Sequence, residues 1–184
     1  MALTVTRKGY GQVEPNHLSA QYTGQIYAQL PAMTAGASGA ADTPIGQLEN
    51  GQFLKYNYAA GRAGVDGDGE WMLVYNEEKL YDERRQNHKD FAMIANEMAD
   101  KTIYPRLLKT NIGDIFTTNT FASAASGPDA TVTGPSLAVG NYLQITNGWL
   151  TKADTKPNSG IVFQVVKEYN LADMQPAVKI QRIQ

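Results

Sequence analysis

Hydrophobic and polar positions alternate over short stretches along most of the chain, and no apolar stripe recurs at helical spacing for long. In residues 52–58, Gln52, Leu54, Tyr56 and Tyr58 share one face while Phe53, Lys55 and Asn57 share the other, which predicts a half-buried strand. Residues 70–75 predict a second, bounded by Gly, Asp and Asn. Residues 141–146 and 149–152 flank Asn147-Gly148, a dipeptide suited to a type I′ hairpin because both central residues of that turn take positive φ. Residues 160–169 and 177–183, joined by a polar turn over 170–176, predict a further antiparallel pair. The expected fold class is therefore all-β, an antiparallel β-barrel or sandwich with little helix. Residues 77–90 depart from the pattern, being densely charged with both signs, and suit either a short exposed helix or an irregular loop.

The first fifty residues read differently. They are rich in Ala, Gly, Gln, Thr and Tyr and carry charge only at Arg7, Lys8, Glu14, Asp42 and Glu49. This predicts an extended N-terminal arm over 1–33, with one short strand near residues 25–31 that Pro31 ends. The small residues of 34–47 predict a flexible linker or loop, and 48–184 a β-rich domain. Tyr22 and Tyr27 stand out because the arm has no core of its own to bury them; it either folds back on the body or lies on another subunit by strand addition or groove filling.

A length of 184 residues and 20.1 kDa allows one domain, or one domain plus an arm. The 16 Lys and Arg against 18 Asp and Glu, a net charge of -2, give no electrostatic case for nucleic acid. Cysteine is absent, which excludes disulfides, thiolate metal sites and cysteine nucleophiles. No run approaches the ~18 apolar residues of a membrane span and the opening lacks the apolar stretch of a signal peptide, so a soluble chain is expected.

Candidate chemistry is thin. Asp66, Asp68, Glu70 and Glu77 fall at positions one, three, five and twelve of a calcium-loop pattern, but position six, which needs glycine, is Trp71, so a solvated turn is the expectation. His17 and His88 have no metal-motif spacing, and the glycine-flanked Ser38 lies in the linker rather than in a nucleophile elbow. Arg84, Arg85 and Lys89 are surrounded by Glu77, Glu78, Asp82, Glu83 and Asp90, which neutralises a phosphate-tracking surface. No metal or cofactor is expected.

The segment VEPNHLSAQYTGQIYAQLPA at 13–32 resembles the N-terminal part of capsid decoration proteins, also called cement or auxiliary head proteins, of tailed bacteriophages. LENGQFL at 48–54, WMLVY at 71–75, GDIFTT at 113–118, VGNYL at 139–143, GWLTK at 148–152 and VFQVVK at 162–167 resemble that group in the same order. The resemblance implies a β-rich, non-enzymatic virion protein, made in the bacterial cytoplasm, that binds the outside of an assembled head and bridges major capsid protein subunits. Self-association as a trimer follows by analogy, and no catalytic residue is implied. Within that role Tyr22, Ile26, Tyr27 and Leu30 are the expected arm anchors, from their aromatic and apolar character. Two other readings compete. One is a carbohydrate-binding module on the virion surface that stacks sugars on Trp71, Trp149 or tyrosines. The other is a small glycoside hydrolase using two of Asp66, Asp68, Glu70, Glu77 and Asp114.

Overall fold

The computed structural model describes residues 2–20, 26–27, 30–37, 40–76, 92–127 and 129–184. Its largest sheet has six strands in the order β15 (Trp149–Ala153), β14 (Tyr142–Thr146), β16 (Val162–Asn170), β17 (Pro176–Arg182), β12 (Ile115–Thr118) and β2 (Val13–His17). A five-stranded sheet runs β3 (Ile26–Tyr27), β11 (Leu107–Leu108), β9 (Met72–Val74), β7 (Phe53–Asn57) and β8 (Arg62–Gly64). Three two-stranded pairs complete it: β1 (Leu3–Lys8) with β13 (Thr131–Leu137), β4 (Met33–Thr34) with β5 (Thr43–Pro44), and β6 (Gln47–Glu49) with β10 (Ala92–Ile94). Every strand pairing is antiparallel, and helix among the described residues amounts to little more than one 3₁₀ turn at Ala95–Glu97. The all-β class is as expected, and the stacked sheets form a sandwich.

Alternation sorts the five-stranded sheet between two cores. Phe53, Leu73 and Leu108 face a large cluster with Phe116, Phe163, Val178 and Ile180 of the six-stranded sheet and Val5 and Leu137 of the β1–β13 pair. Leu54, Met72, Val74 and Leu107 face a second cluster with Ala32, Leu48, Ala95 and Ile103. Phe163 bridges the layers, with ring centroids 5.8 Å from Phe53 and 5.6 Å from Phe116. The half-buried strand expected over 52–58 is thus corrected: Phe53 and Leu54 are both buried, because the segments around Ala32, Leu48 and Ile103 cover the face that alternation had left to solvent.

The hairpin at Asn147–Gly148 forms as the dipeptide predicts, with φ of 49° and 81° and Thr146 opposite Trp149. Its tip docks on the other sheet, where the Phe53 N–H donates to the Gly148 carbonyl at 2.8 Å. A Cβ on Gly148 would lie 2.8 Å from the Phe53 carbonyl oxygen, so both backbone conformation and close approach require glycine there.

The separate extended arm expected over 1–33 is also corrected for its described residues. β1 pairs with β13 and β2 with β12, Ile26–Tyr27 pairs with Leu107–Leu108, and Val5, Val13, Leu18 and Ala20 are buried in the large core. The linker of 34–47 contains the β4–β5 hairpin, in which Met33 opposes Pro44 and Thr34 opposes Thr43.

Candidate functional site

The buried charges are knotted into the fold. Arg7 and Glu49, 1% and 0% exposed, form an ion pair at 2.5 Å. Glu49 Oε2 also accepts the Gly11 N–H at 2.9 Å, while Oε1 accepts Gln47 Nε2 at 2.9 Å and the Ala125 N–H at 2.6 Å. Arg7 donates further to the Gly9 and Ser123 carbonyls. One carboxylate thereby joins β1, β6 and the segments around residues 11 and 125, an arrangement that leaves it no free lone pair for proton transfer.

Arg62 on β8 binds both oxygens of Asp66 at 2.6 and 2.5 Å, and Asp42 Oδ2 lies 2.7 Å from its Nε as an ion pair off the N–H axis. Asp42 also accepts the Gly36 N–H, so Arg62 straps the β4–β5 hairpin to the sheet and replaces the expected flexible linker with an anchored one. The Arg62 hydrogen bonds hold the Asp66 carboxyl below its ordinary value of 3.8, and Asp66 in turn raises the Arg62 guanidinium.

The other acids named from the sequence are engaged separately. Glu70 pairs with Arg182 at 2.6 Å and Lys109 at 3.3 Å. Asp114, 1% exposed, accepts the Ser19 N–H and hydroxyl on Oδ1 and the Asn111 N–H on Oδ2. Asp66 and Glu70 thus answer to different cations, and Asp114 caps two turns. Among the described residues no group of three or more His, Asp or Glu is arranged to hold a metal ion. Asp68 and His17 are exposed, with His17 opposite Ile115 at the end of β2; Ser38, Glu77, His88, Arg84, Arg85 and Lys89 lie outside the described residues. Trp71 packs partly buried against the large core beneath Lys55, whose Nζ is 4.7 Å from the ring centroid, and Trp149 is half-buried beside the hairpin turn.

Of the expected arm anchors, Ile26 and Tyr27 form the edge strand β3, Leu30 packs half-buried against the second core, and Tyr22 lies outside the described residues. The sequence did not single out what the fold leaves in solvent. Among the described residues Tyr58, Val65, Tyr104, Ile112, Val139 and Met174 are the exposed large apolar side chains, and all sit on turns or connections. Met174 is 73% exposed with φ of 66°, a left-handed backbone that a side chain makes costly. Its turn is held by the Leu171 N–H to Gln175, the Met174 N–H to Leu171, and the Gln175 side chain, which pairs with both backbone groups of Lys8. Compared with known proteins, the chain matches no family model, no curated protein and no solved structure.

Proposed function

We propose that this chain is a non-enzymatic structural protein of a tailed-phage virion that binds the outer surface of the assembled head and stabilises it by bridging major capsid protein subunits. The observation that carries the reading is a set of exposed apolar side chains on turns at both ends of the six-stranded sheet and elsewhere on the surface. Tyr58, Ile112, Val139 and Met174 project from a body whose two cores are filled, and a strained, solvent-exposed Met174 suggests selection for contact rather than for stability. Single apolar side chains on turns suit a shallow surface repeated in many copies better than a small molecule. The sequence resemblance over 13–32 and the six later strings supports the same class of partner.

The mechanism is linkage. A protein that binds the assembled lattice and not its dissociated subunits shifts the equilibrium toward the shell, by an amount that grows with occupancy. A trimer about a local three-fold axis is part of the proposal, because it would let one particle touch several capsid subunits.

The test is electron microscopy and thermal melting of heads prepared with and without the chain. Ordered density on the outer surface and a higher disruption temperature are expected; naked heads of unchanged stability after addition overturn the proposal. The anchor role of Tyr22, Ile26, Tyr27 and Leu30 is tested by Tyr22→Ala and Tyr27→Ala, which should lower head occupancy. Deleting residues 1–31 is the wrong variant, since it removes β1, β2 and their core side chains.

A further inference from the structure

We infer that the outer face of the six-stranded sheet, around Lys167 and Lys179, is a docking site for an acidic protein surface. Lys167 of β16 lies directly opposite Lys179 of β17. Paired residues on neighbouring strands share a face, and Val178 and Ile180 point into the core, so both ammonium groups stand on the outside. Like charges directly opposite across strands are destabilising. Neither lysine forms an ion pair with a described residue. Glu14 is in the same row, two strands from Lys179 with Thr117 of β12 between them. Glu168 follows Lys167 in the chain but alternates to the opposite side.

The rest of the face suits a carboxylate-bearing partner. The Tyr169 ring lies 5.4 Å from Lys179 Nζ and fixes one side of that ammonium group. Gln164 and Gln181, opposite each other in the next row, place two uncharged amides beside the two cations, Gln164 Nε2 also donating to the Gly140 carbonyl at 3.4 Å. Two lysines with no ion-pair partner among the described residues, beside an aromatic wall and amide groups, form a surface whose missing complement is negative charge. The proposed function supplies a candidate for that complement, an acidic patch on the major capsid subunit, and to that extent the site rests on it.

The full-length chain is tested against two probes: poly-L-glutamate, and phage heads assembled from major capsid protein in its absence. Wild type is expected to bind both, more weakly as salt rises. Lys167→Glu with Lys179→Glu should weaken both by about tenfold or more, while Lys156→Glu, on an exposed loop elsewhere, stays within about twofold. The single Lys167→Glu should raise the melting temperature of the free protein by about 2 °C, by turning repulsion into a cross-strand ion pair, which also shows the fold intact. Binding of both probes unchanged by the double variant overturns the site, and if heads are still occupied the capsid reading survives alone. Lysine-dependent binding to poly-L-glutamate without binding to heads keeps the site and overturns the capsid reading. Wild type binding neither probe overturns both.

Discussion

At Glu49, four donors from four parts of the chain meet one buried carboxylate, and this sets how the pair with Arg7 responds to mutation. In a simple buried pair, replacing both partners by apolar groups often recovers stability. Here removal of Glu49 also orphans the Gly11 and Ala125 N–H groups and the Gln47 amide, each costing about 1–3 kcal/mol. Glu49→Ala is therefore expected to destabilise by at least about 4 kcal/mol, Arg7→Met by less, and Arg7→Met with Glu49→Leu to stay within about 1 kcal/mol of Glu49→Ala, read from urea midpoints. Recovery in the double variant would show that the carboxylate matters only to Arg7. Asp66 gives a prediction in pH. Its carboxyl titrates below its ordinary value in the fold, so its stabilising contribution is complete above about pH 5 and fades as pH falls through the depressed value. The stability gap between wild type and Asp66→Asn should be flat at neutral pH and close below about pH 4, as measured by denaturation at a series of pH values.

Among the elements, the turns were the most legible in the sequence. Asn147-Gly148 needs only its own two residues to specify the turn, and its strands follow by alternation. That turn also joins the sheets, which separates two costs of replacing a glycine. Gly148→Ala meets both a left-handed φ and the Phe53 carbonyl at 2.8 Å, whereas Gly113→Ala meets a φ of 97° with open space around it. Gly113→Ala should cost about 1 kcal/mol and Gly148→Ala about 1–2 kcal/mol more in thermal denaturation, and equal costs would mean that the hairpin tip is not pressed against β7. Strand β1 was missed because Leu3, Val5 and Arg7 share its inner face and a buried arginine breaks the apolar period; its partner Glu49 is 42 residues away. The β4–β5 hairpin was missed for a similar reason, since its strap is Arg62, outside the small-residue segment it holds. Strand β7 was assigned to the right stretch but to the wrong environment, because alternation cannot show that both faces will be covered. The acids suggested as catalytic or metal-binding were visible as residue types, but their cationic and backbone partners come from elsewhere in the chain.

For the whole molecule, the sheet edges narrow how a partner can attach. Three of the four outer strands of the two large sheets are blunted. β8 is bridged by Ala32 at Ala63, β2 carries Pro15, and Lys152 of β15 reaches across to the Ser136 carbonyl of β13. Strand addition at these three edges is disfavoured, which leaves the β3 edge, the turns and the sheet faces for attachment. If turns carry the contact, stability and binding should separate at Met174. Asparagine tolerates the left-handed backbone that methionine resists, and no buried area is lost because Met174 is solvent-exposed. Met174→Asn is thus expected to stabilise the free protein by about 0.5 kcal/mol, or roughly 1–2 °C in melting temperature, while lowering its occupancy on heads and the extra heat resistance it confers. A gain in the free protein with occupancy unchanged would show the turn to be a passive connection; a gain in the free protein with a loss on the shell would locate part of the contact at that turn.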